Sequence, residues 1–296
     1  MDRLRSPVQW YGGKGQMISK LTRLVPAGGS PYCEPFSGGA SLFFSRDPAP
    51  VEVLNDVDGD LVNLYRCLQN KETFEDLRHR INWTPYARGE FARAIETLQN
   101  EWDGGLSVDR AWAFFVAKNQ GFSGISDSIG NWSRVFTPRG GMASVTNGWV
   151  MRQSMLDAWR WRLMRVQVDN QCALKVIRYW DADEAVFYLD PPYVLDARVK
   201  GSRNVYVNEP DDEFHSELID TLLGLKGAAV ISCYDSPIYW PLETNGWEKI
   251  EYKTACHAAG RTRASKLQGK GSALKHVART EVVWRNRKAV ELCGAC

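Results

Sequence analysis

The sequence has 296 residues, of which 44% are hydrophobic and 24% charged, with a formal net charge of +2. This composition is typical of a globular chain with one large domain and a smaller inserted one, and the balanced charge does not by itself indicate a polyanionic partner. We expect no membrane association and no signal peptide, because no apolar run approaches the roughly 20 residues that span a bilayer. The cysteines are scattered, which predicts reduced thiols in the cytoplasm and no zinc site.

The first motif in the chain is Trp10-Tyr11-Gly12-Gly13-Lys14. Adjacent glycines after two aromatic residues indicate a backbone that lies close to a flat ligand, with a cation nearby. The motif lacks the G-x-x-x-x-G-K-[ST] spacing of a phosphate-binding loop. Taken alone, it is also compatible with an ordinary turn.

A second glycine motif, Glu34-Pro35-Phe36-Ser37-Gly38-Gly39, follows a short predicted strand. Residues 51–54 form another predicted strand, which ends in Asn55-Asp56. An acid about 20 residues beyond a glycine turn commonly binds ribose hydroxyls, since two carboxylate oxygens suit a vicinal diol. One face of residues 60–68 is apolar, which predicts a helix there.

Residues 71–160 have a different pattern from the segments on either side. Helical periodicity covers 91–98 and 111–118, a polar section rich in Gly, Ser and Asn follows, and strand signals are few. We therefore predict three parts of the chain. Residues 1–70 and 161–296 are the two halves of an α/β domain, and residues 71–160 are a mainly helical insertion between them.

Two continuous apolar runs, 185–189 and 228–232, fit strands that are covered on both faces, and their alternation with helices predicts an α/β sheet. The first run ends in Asp190-Pro191-Pro192-Tyr193. Prolines lack an N–H donor and stiffen the turn, so the Asp190 carboxylate and the Pro191 carbonyl can both present acceptors. That pair matches the two N–H donors of an amino group on a heterocycle, and Tyr193 offers a face for stacking a base. A plain rigid turn is the alternative.

In content and order, four motifs resemble the Dam-like (D12 class) family of N6-adenine-specific DNA methyltransferases: Trp10 to Lys14, Glu34 to Gly39, Asn55-Asp56 and Asp190 to Tyr193. The resemblance implies an α/β fold, a Rossmann-like class I S-adenosylmethionine-dependent methyltransferase sheet with an inserted, mainly helical target-recognition subdomain. It implies transfer of methyl from S-adenosylmethionine to N6 of a flipped adenine in double-stranded DNA. The expected location is the bacterial cytoplasm, for a bacterial or a phage-encoded enzyme.

The resemblance also assigns residues to roles. The implied catalytic residues are Asp190, Pro191 and Tyr193, of which Tyr193 stacks on the flipped adenine. The implied cofactor-binding residues are Trp10, Lys14, Glu34, Phe36, Gly38, Asp56 and Asp190. No metal ion is expected in the reaction.

DNA contacts are predicted in two basic regions, at two aromatic residues and at Asn119. Residues 253–288 contain ten Lys or Arg against a single acid, Glu281, and six arginines lie between 134 and 165. A basic run is also typical of a solvated face, but beside the resemblance we predict phosphate contacts for most of these residues. The DNA-binding candidates are Asn119, Phe122, Trp132, Arg134, Arg139, Arg261, Arg263, Lys266 and Lys270.

Several alternatives stay open at this point. The segment 119–124 departs from the family's recognition segment, so the target sequence does not carry over. The nearest rival is an N4-cytosine DNA methyltransferase, disfavoured by Asp rather than Ser before Pro-Pro-Tyr. RNA guanine and protein glutamine methyltransferases lack the motif from Trp10 to Lys14, and a catalytically idle DNA-binding regulator is disfavoured by Asp56 and Asp190. We expect a monomer in solution, with a dimer as the alternative.

Overall fold

The computed structural model of the chain describes residues 4–10, 12–124, 129–192, 211–255 and 278–293. Within these residues the strands are β1 Tyr32–Glu34, β2 Glu52–Asn55, β3 Pro138–Arg139, β4 Met142–Ala143, β5 Val166–Asp169, β6 Val186–Leu189, β7 Ala228–Tyr234, β8 Glu248–Ala255 and β9 Ala278–Arg285. The helices are α1 Ile18–Leu24, α2 Ser41–Ser45, α3 Gly59–Gln69, α4 Lys71–Trp83, α5 Arg88–Gln99, α6 Val108–Gln120, α7 Ser144–Gln153, α8 Leu156–Leu163, α9 Ala173–Trp180, α10 Asp212–Leu223, α11 Trp240–Thr244 and α12 Arg287–Cys293. In the described ranges no helix has the length and apolar character needed to cross a bilayer.

Seven strands form the central sheet, in the order β5-β2-β1-β6-β7-β9-β8. The first five are mutually parallel, and β9 runs antiparallel between β7 and β8. In the middle of the sheet Cys33 of β1 lies opposite Val53 of β2 and Phe187 of β6. The expected α/β architecture with a mostly parallel sheet is confirmed, and it is consistent with a methyltransferase fold.

The apolar runs of the sequence form the middle strands because both faces of the sheet are covered. Side chains alternate across a strand with a period of two. In β6, Val186 and Tyr188 accordingly join one hydrophobic cluster, whereas Phe187 and Leu189 join a second. A strand with apolar residues on both faces is stable only where helices pack on each side.

The helix predicted over 60–68 is α3. Leu61, Leu64 and Leu68 are all buried, and the Asp58 side chain caps the helix by accepting from the backbone N–H groups of Asp60 and Leu61. The cap fixes the backbone that directly follows Asp56.

Residues 71–160 form α4 to α7, the two-residue strands β3 and β4, and the start of α8. Their buried aromatic residues, including Phe91, Phe115 and Trp149, belong to the same hydrophobic cluster as Phe43 and Leu54 of the α/β part. The segment is helical as expected, and it shares a core with one face of the sheet. Its role in target recognition and the boundaries 1–70, 71–160 and 161–296 stay predictions.

Candidate active site

The predicted motifs meet at one edge of the sheet, where the parallel strands β2, β1 and β6 end. Glu34 is the last residue of β1, Asn55-Asp56 closes β2, and Asp190 follows β6 directly. Since β1 pairs with both β2 and β6, these side chains lie around the carboxyl ends of three adjacent strands. Ligands of open parallel sheets bind in this position.

The glycine turn after β1 is held in place by Asp56. Its Oδ2 accepts a hydrogen bond from the Gly38 N–H at 2.7 Å, and its Oδ1 accepts from the Asp58 N–H at 3.0 Å. The Tyr65 hydroxyl donates to the Gly38 carbonyl at 2.8 Å. Gly38 has a φ of +46°, and a Cβ there would lie 2.7 Å from the indole nitrogen of Trp10. Both its conformation and the packing of Trp10 therefore favour glycine at this position.

Burial raises the pKa of the Asp56 carboxyl to about 6, against the opposing hydrogen bonds from backbone N–H groups. Burial likewise raises the pKa of Glu34 to about 7, although the Tyr32 hydroxyl donates to Glu34 Oε1 at 2.6 Å and opposes the rise. Phe36 is half-buried, with its ring edge-on to Phe214 at 6.2 Å between centroids. Two carboxyl groups of raised pKa, Asp56 and Glu34, therefore lie around the glycine turn together with the apolar ring of Phe36.

Lys14 is buried between two carboxylates. Its Nζ lies 2.5 Å from Asp190 Oδ1 and 3.1 Å from Glu281 Oε1, and the exposed fractions of the Lys14 and Glu281 side chains are both 7%. Burial alone would lower the pKa of Lys14, but Asp190 and Glu281 outweigh it and hold the pKa above its ordinary value. Lys14 is therefore a cation at neutral pH.

Asp190 sits among donors at the end of β6. Besides Lys14, the Ser232 hydroxyl lies within 3.4 Å of Asp190 Oδ1, and it also bonds with the Tyr188 hydroxyl at 2.9 Å. Burial raises the pKa of Asp190, Lys14 opposes the rise and Glu281 adds to it. Among the described residues both donors reach Oδ1, and none donates to Oδ2. The neighbouring Pro191 is buried.

Glu281 was not predicted to be a site residue. In the sequence it stands out only as the single acid of a basic segment. The signal was present in β9, where the acid precedes the apolar residues Val282, Val283 and Trp284. A carboxylate buried in such a strand is costly unless a cation pairs with it. Here the cation comes from Lys14, far away in the sequence.

The predicted DNA contacts fall into different environments. Phe122 is 40% exposed, and Arg134 and Arg139 are exposed. Trp132 is half-buried against Tyr86, with centroids 5.6 Å apart. Outside the described residues lie Tyr193, Arg261, Arg263, Lys266 and Lys270.

The environment of Asn119 contradicts its predicted DNA contact. The residue is 5% exposed, and its side-chain amide donates to the carbonyls of Pro7 and Phe115 at 3.0 Å each. Its Oδ1 accepts from the Gln9 N–H at 3.3 Å. A buried amide whose donors and acceptor are committed to backbone groups is not available to a base edge.

Several arginines expected to contact phosphates are committed to protein partners instead. Arg162 forms a two-pronged ion pair with the fully buried carboxylate of Glu52, at 2.5 and 2.7 Å. Arg160 donates to the carbonyls of Leu68 and Gln69. Arg285 donates through Nε to Glu248 at 2.6 Å. These three arginines therefore lie outside the phosphate contacts predicted for most of the two basic regions, because protein acceptors engage their guanidinium groups.

In the part of the chain that the structure describes, no group of three or more His, Cys, Asp or Glu side chains is placed to hold a metal ion. The described site consists of carboxylates, one lysine, hydroxyls and backbone groups.

The sheet, the glycine turn and the Asp-Pro-Pro motif together define a methyltransferase class. The family model for D12 class N6 adenine-specific DNA methyltransferases matches residues 10–238, and the chain belongs to this family. Glu281 lies beyond the matched residues.

Individual relatives share shorter segments with the chain. It is 31% identical to the DNA N-6-adenine-methyltransferase of Escherichia phage P1 over 125 residues. This aligned segment covers 41% of this chain and 16% of the relative. It is 39% identical over 67 residues to the Type II methyltransferase M1.LlaDCHI of Lactococcus lactis subsp. cremoris, covering 23% of each. It is 35% identical over 69 residues to the DNA adenine methylase of Serratia marcescens, covering 23% of this chain and 25% of the relative. The matched segments thus span a quarter or less of each relative's length.

Proposed function

We propose that this chain transfers a methyl group from S-adenosylmethionine to N6 of an adenine in double-stranded DNA, with the base turned out of the helix. The observation that carries the proposal is the environment of Asp190. Its carboxylate follows β6 directly, is held through Oδ1 by Lys14 and Ser232, and keeps Oδ2 without a donor in the described residues. Family membership and the names of the relatives support the same reaction.

The residues at the sheet edge fit S-adenosylmethionine, which supplies an electrophilic methyl on a sulfonium when bound. The absence of a side chain at Gly38 lets Trp10 pack against the turn, where its ring offers an apolar face to the cofactor. Asp56 ends the strand next to this turn, where a carboxylate suits ribose hydroxyls. Glu34 and Phe36 line the same turn. A Rossmann-like class I sheet is the arrangement we propose, with the strand order β5-β2-β1-β6-β7 as its core.

Asp190 and Pro191 act on the amino group. The exocyclic nitrogen of adenine is a weak nucleophile because its lone pair is delocalised into the ring. The Asp190 carboxylate and the Pro191 carbonyl accept its two N–H donors, which directs the lone pair away from the ring. Lys14 favours the ionised form of Asp190 and holds its carboxylate in position. Positioning can contribute roughly 7–11 kcal/mol of the barrier reduction, and the fixed acceptors add electrostatic stabilisation.

The target atom must leave the base stack before these residues can reach it, at a cost of a few kcal/mol. We assign stacking on the extruded base to Tyr193. Exposed Phe122, Arg134 and Arg139 are the proposed DNA contacts of a recognition part formed by residues 71–160, with half-buried Trp132 beside them. We propose that the enzyme acts as a monomer in the cytoplasm of a bacterium or a phage-infected cell.

The test is a tritiated methyl-transfer assay on unmethylated DNA, followed by nucleoside analysis. We expect N6-methyladenine from the wild type, and a loss of about 10²–10³-fold in rate for Asp190→Asn. Asp220→Asn is the matched control, because Asp220 is an exposed acid on α10. N4-methylcytosine would support the cytosine-specific alternative, and DNA binding without methyl transfer would support the idle regulator.

A further inference from the structure

The segment before the first glycine motif is attached to the helical insertion. The Trp159 indole N–H donates to the Arg5 carbonyl at 2.7 Å, and Asn119 donates to the Pro7 carbonyl at 3.0 Å. The Gln9 N–H donates to Asn119 Oδ1 at 3.3 Å, and the Gln9 side chain donates to the Asn119 carbonyl at 3.4 Å. Helices α6 and α8 therefore fix the course of residues 5–9.

Asn119 bonds to this segment on both sides of the bend at Pro7 and Val8. Its side chain reaches the Pro7 carbonyl and the Gln9 N–H, which are two residues apart. The amide of Asn119 supplies the matching donor and acceptor. Gly124 also abuts the segment, since a Cβ there would lie 2.2 Å from the Gln9 carbonyl oxygen. Residues 5–9 therefore contact the helical insertion both at the end of α6 and just beyond it.

Trp10 follows Gln9 directly, and its ring contacts both the glycine turn and α6. One side of the ring faces Gly38. On the α6 side, the Phe114 ring is 6.5 Å away between centroids, and Lys118 Nζ lies 4.9 Å from the Trp10 ring centre. Trp10 follows Gln9 directly in the chain, so a displacement of residues 7–9 would also displace Trp10.

We propose that Asn119 is a positioning residue for the cofactor pocket, which acts by holding Pro7 and Gln9 so that Trp10 stays against the Gly38 turn. This inference rests on the proposed function for the identity of the ligand. It replaces the DNA contact that the sequence suggested for Asn119, and it makes the helical insertion part of the cofactor pocket.

The chain offers a matched control in the adjacent residue. Gln120 is fully buried, and its side chain donates to the Pro85 carbonyl at 3.0 Å and accepts from the Ala87 N–H at 3.2 Å. Gln120 thus bonds to two backbone groups that are two residues apart, as Asn119 does. The backbone that Gln120 holds, however, is the segment before α5. Gln120→Ala therefore removes similar bonds from a similar environment without releasing Trp10.

The experiment measures the dissociation constant of S-adenosylhomocysteine by calorimetry, and that of unmethylated duplex DNA by anisotropy without cofactor. For Asn119→Ala we expect about a tenfold weaker S-adenosylhomocysteine affinity, which corresponds to roughly 1.4 kcal/mol, and a change in DNA affinity below about twofold. Gln120→Ala should leave S-adenosylhomocysteine affinity unchanged. Trp10→Ala should weaken it, and adding Asn119→Ala to Trp10→Ala should have little further effect, because coupled residues are not additive.

Weaker DNA binding with unchanged cofactor affinity would overturn the inference, as would equal cofactor defects in the Asn119 and Gln120 variants or additive effects of Trp10→Ala and Asn119→Ala. Hydrogen exchange supplies a readout without ligand: Asn119→Ala should speed amide exchange in a peptide covering residues 5–10, and Gln120→Ala should not. If the wild type fails to bind S-adenosylhomocysteine, the proposed function fails and the cofactor role of Asn119 fails with it. The exchange result then decides separately whether Asn119 orders the segment.

Discussion

Replacing Lys14 with methionine tests whether the buried cation maintains the site. The substitution keeps the length of the side chain but removes the ammonium that lies 2.5 Å from Asp190 and 3.1 Å from Glu281. Two carboxylates then share a buried space without a cation. Removing one partner of a buried ion pair costs about 3–5 kcal/mol, and we expect the free energy of unfolding to fall by that amount at pH 8.

The pH dependence of this loss has a definite sign. Burial already raises the pKa of Asp190 and Lys14 opposes the rise, so the variant should have a still higher folded-state pKa. A group with a raised folded-state pKa favours folding when protonated, and this contribution is lost as the pH rises through the folded pKa. The stability difference between wild type and Lys14→Met should therefore shrink on acidification. In the proposed mechanism the Asp190 carboxylate must be ionised, so residual activity of the variant should rise with pH.

The assay is urea denaturation at pH 8 and pH 5.5, together with initial rates of methyl transfer over the same range. Lys175→Met is the control, because Lys175 is exposed on α9. A loss of stability below about 1 kcal/mol, a value typical of exposed pairs, would refute the reasoning. A loss that is the same at both pH values would refute it too.

Three further predictions concern single side chains. Affinity for S-adenosylhomocysteine should fall as the pH drops through about 6, where the buried Asp56 carboxyl takes up its proton. Calorimetry on Asp56→Asn should lose the pH dependence near 6 and keep only that of Glu34 near 7, and a flat wild-type profile would contradict this. Arg162→Met should lower the free energy of unfolding by about 3–5 kcal/mol by leaving the Glu52 carboxylate buried and unpaired, yet the folded variant should bind DNA with unchanged affinity by anisotropy; weakened binding would restore its predicted phosphate contact. Arg139→Ala should reduce the slope of log K against log salt by about 1, and an unchanged slope would remove Arg139 from the DNA interface.

Much of the fold was predictable because its signals are local. Strand β6 lies within one continuous apolar run, β7 begins with another, and the buried positions of α3 repeat with helical spacing. The glycine turn and Asp190 were found for a similar reason. Each belongs to a short motif whose residues are neighbours in sequence, so their chemistry can be read without knowledge of the tertiary structure.

The errors concern polar residues whose partners are distant in sequence. Asn119 was expected at the DNA because it is polar and lies in a polar segment, but its partners Pro7 and Gln9 come from the start of the chain. Arg162 was one of the six arginines between 134 and 165 that were counted as a basic region, although Glu52 of β2 forms an ion pair with it. A count of charges cannot distinguish a solvated arginine from a buried one, because the difference depends on long-range pairing.

The pairing of Lys14 with Glu281 has a consequence for how the protein acquires its activity. The lysine is near the start of the described chain and the carboxylate is on β9, the last strand in the described sequence but an interior one of the sheet. During synthesis, the cofactor turn and Asp190 emerge from the ribosome well before residue 281. A nascent chain at that stage has the glycine turn and Asp190 but not the pairing of Lys14 with Glu281, so we expect the site to be completed late, when β9 inserts between β7 and β8. Contacts of such long sequence separation are also the slow ones in folding.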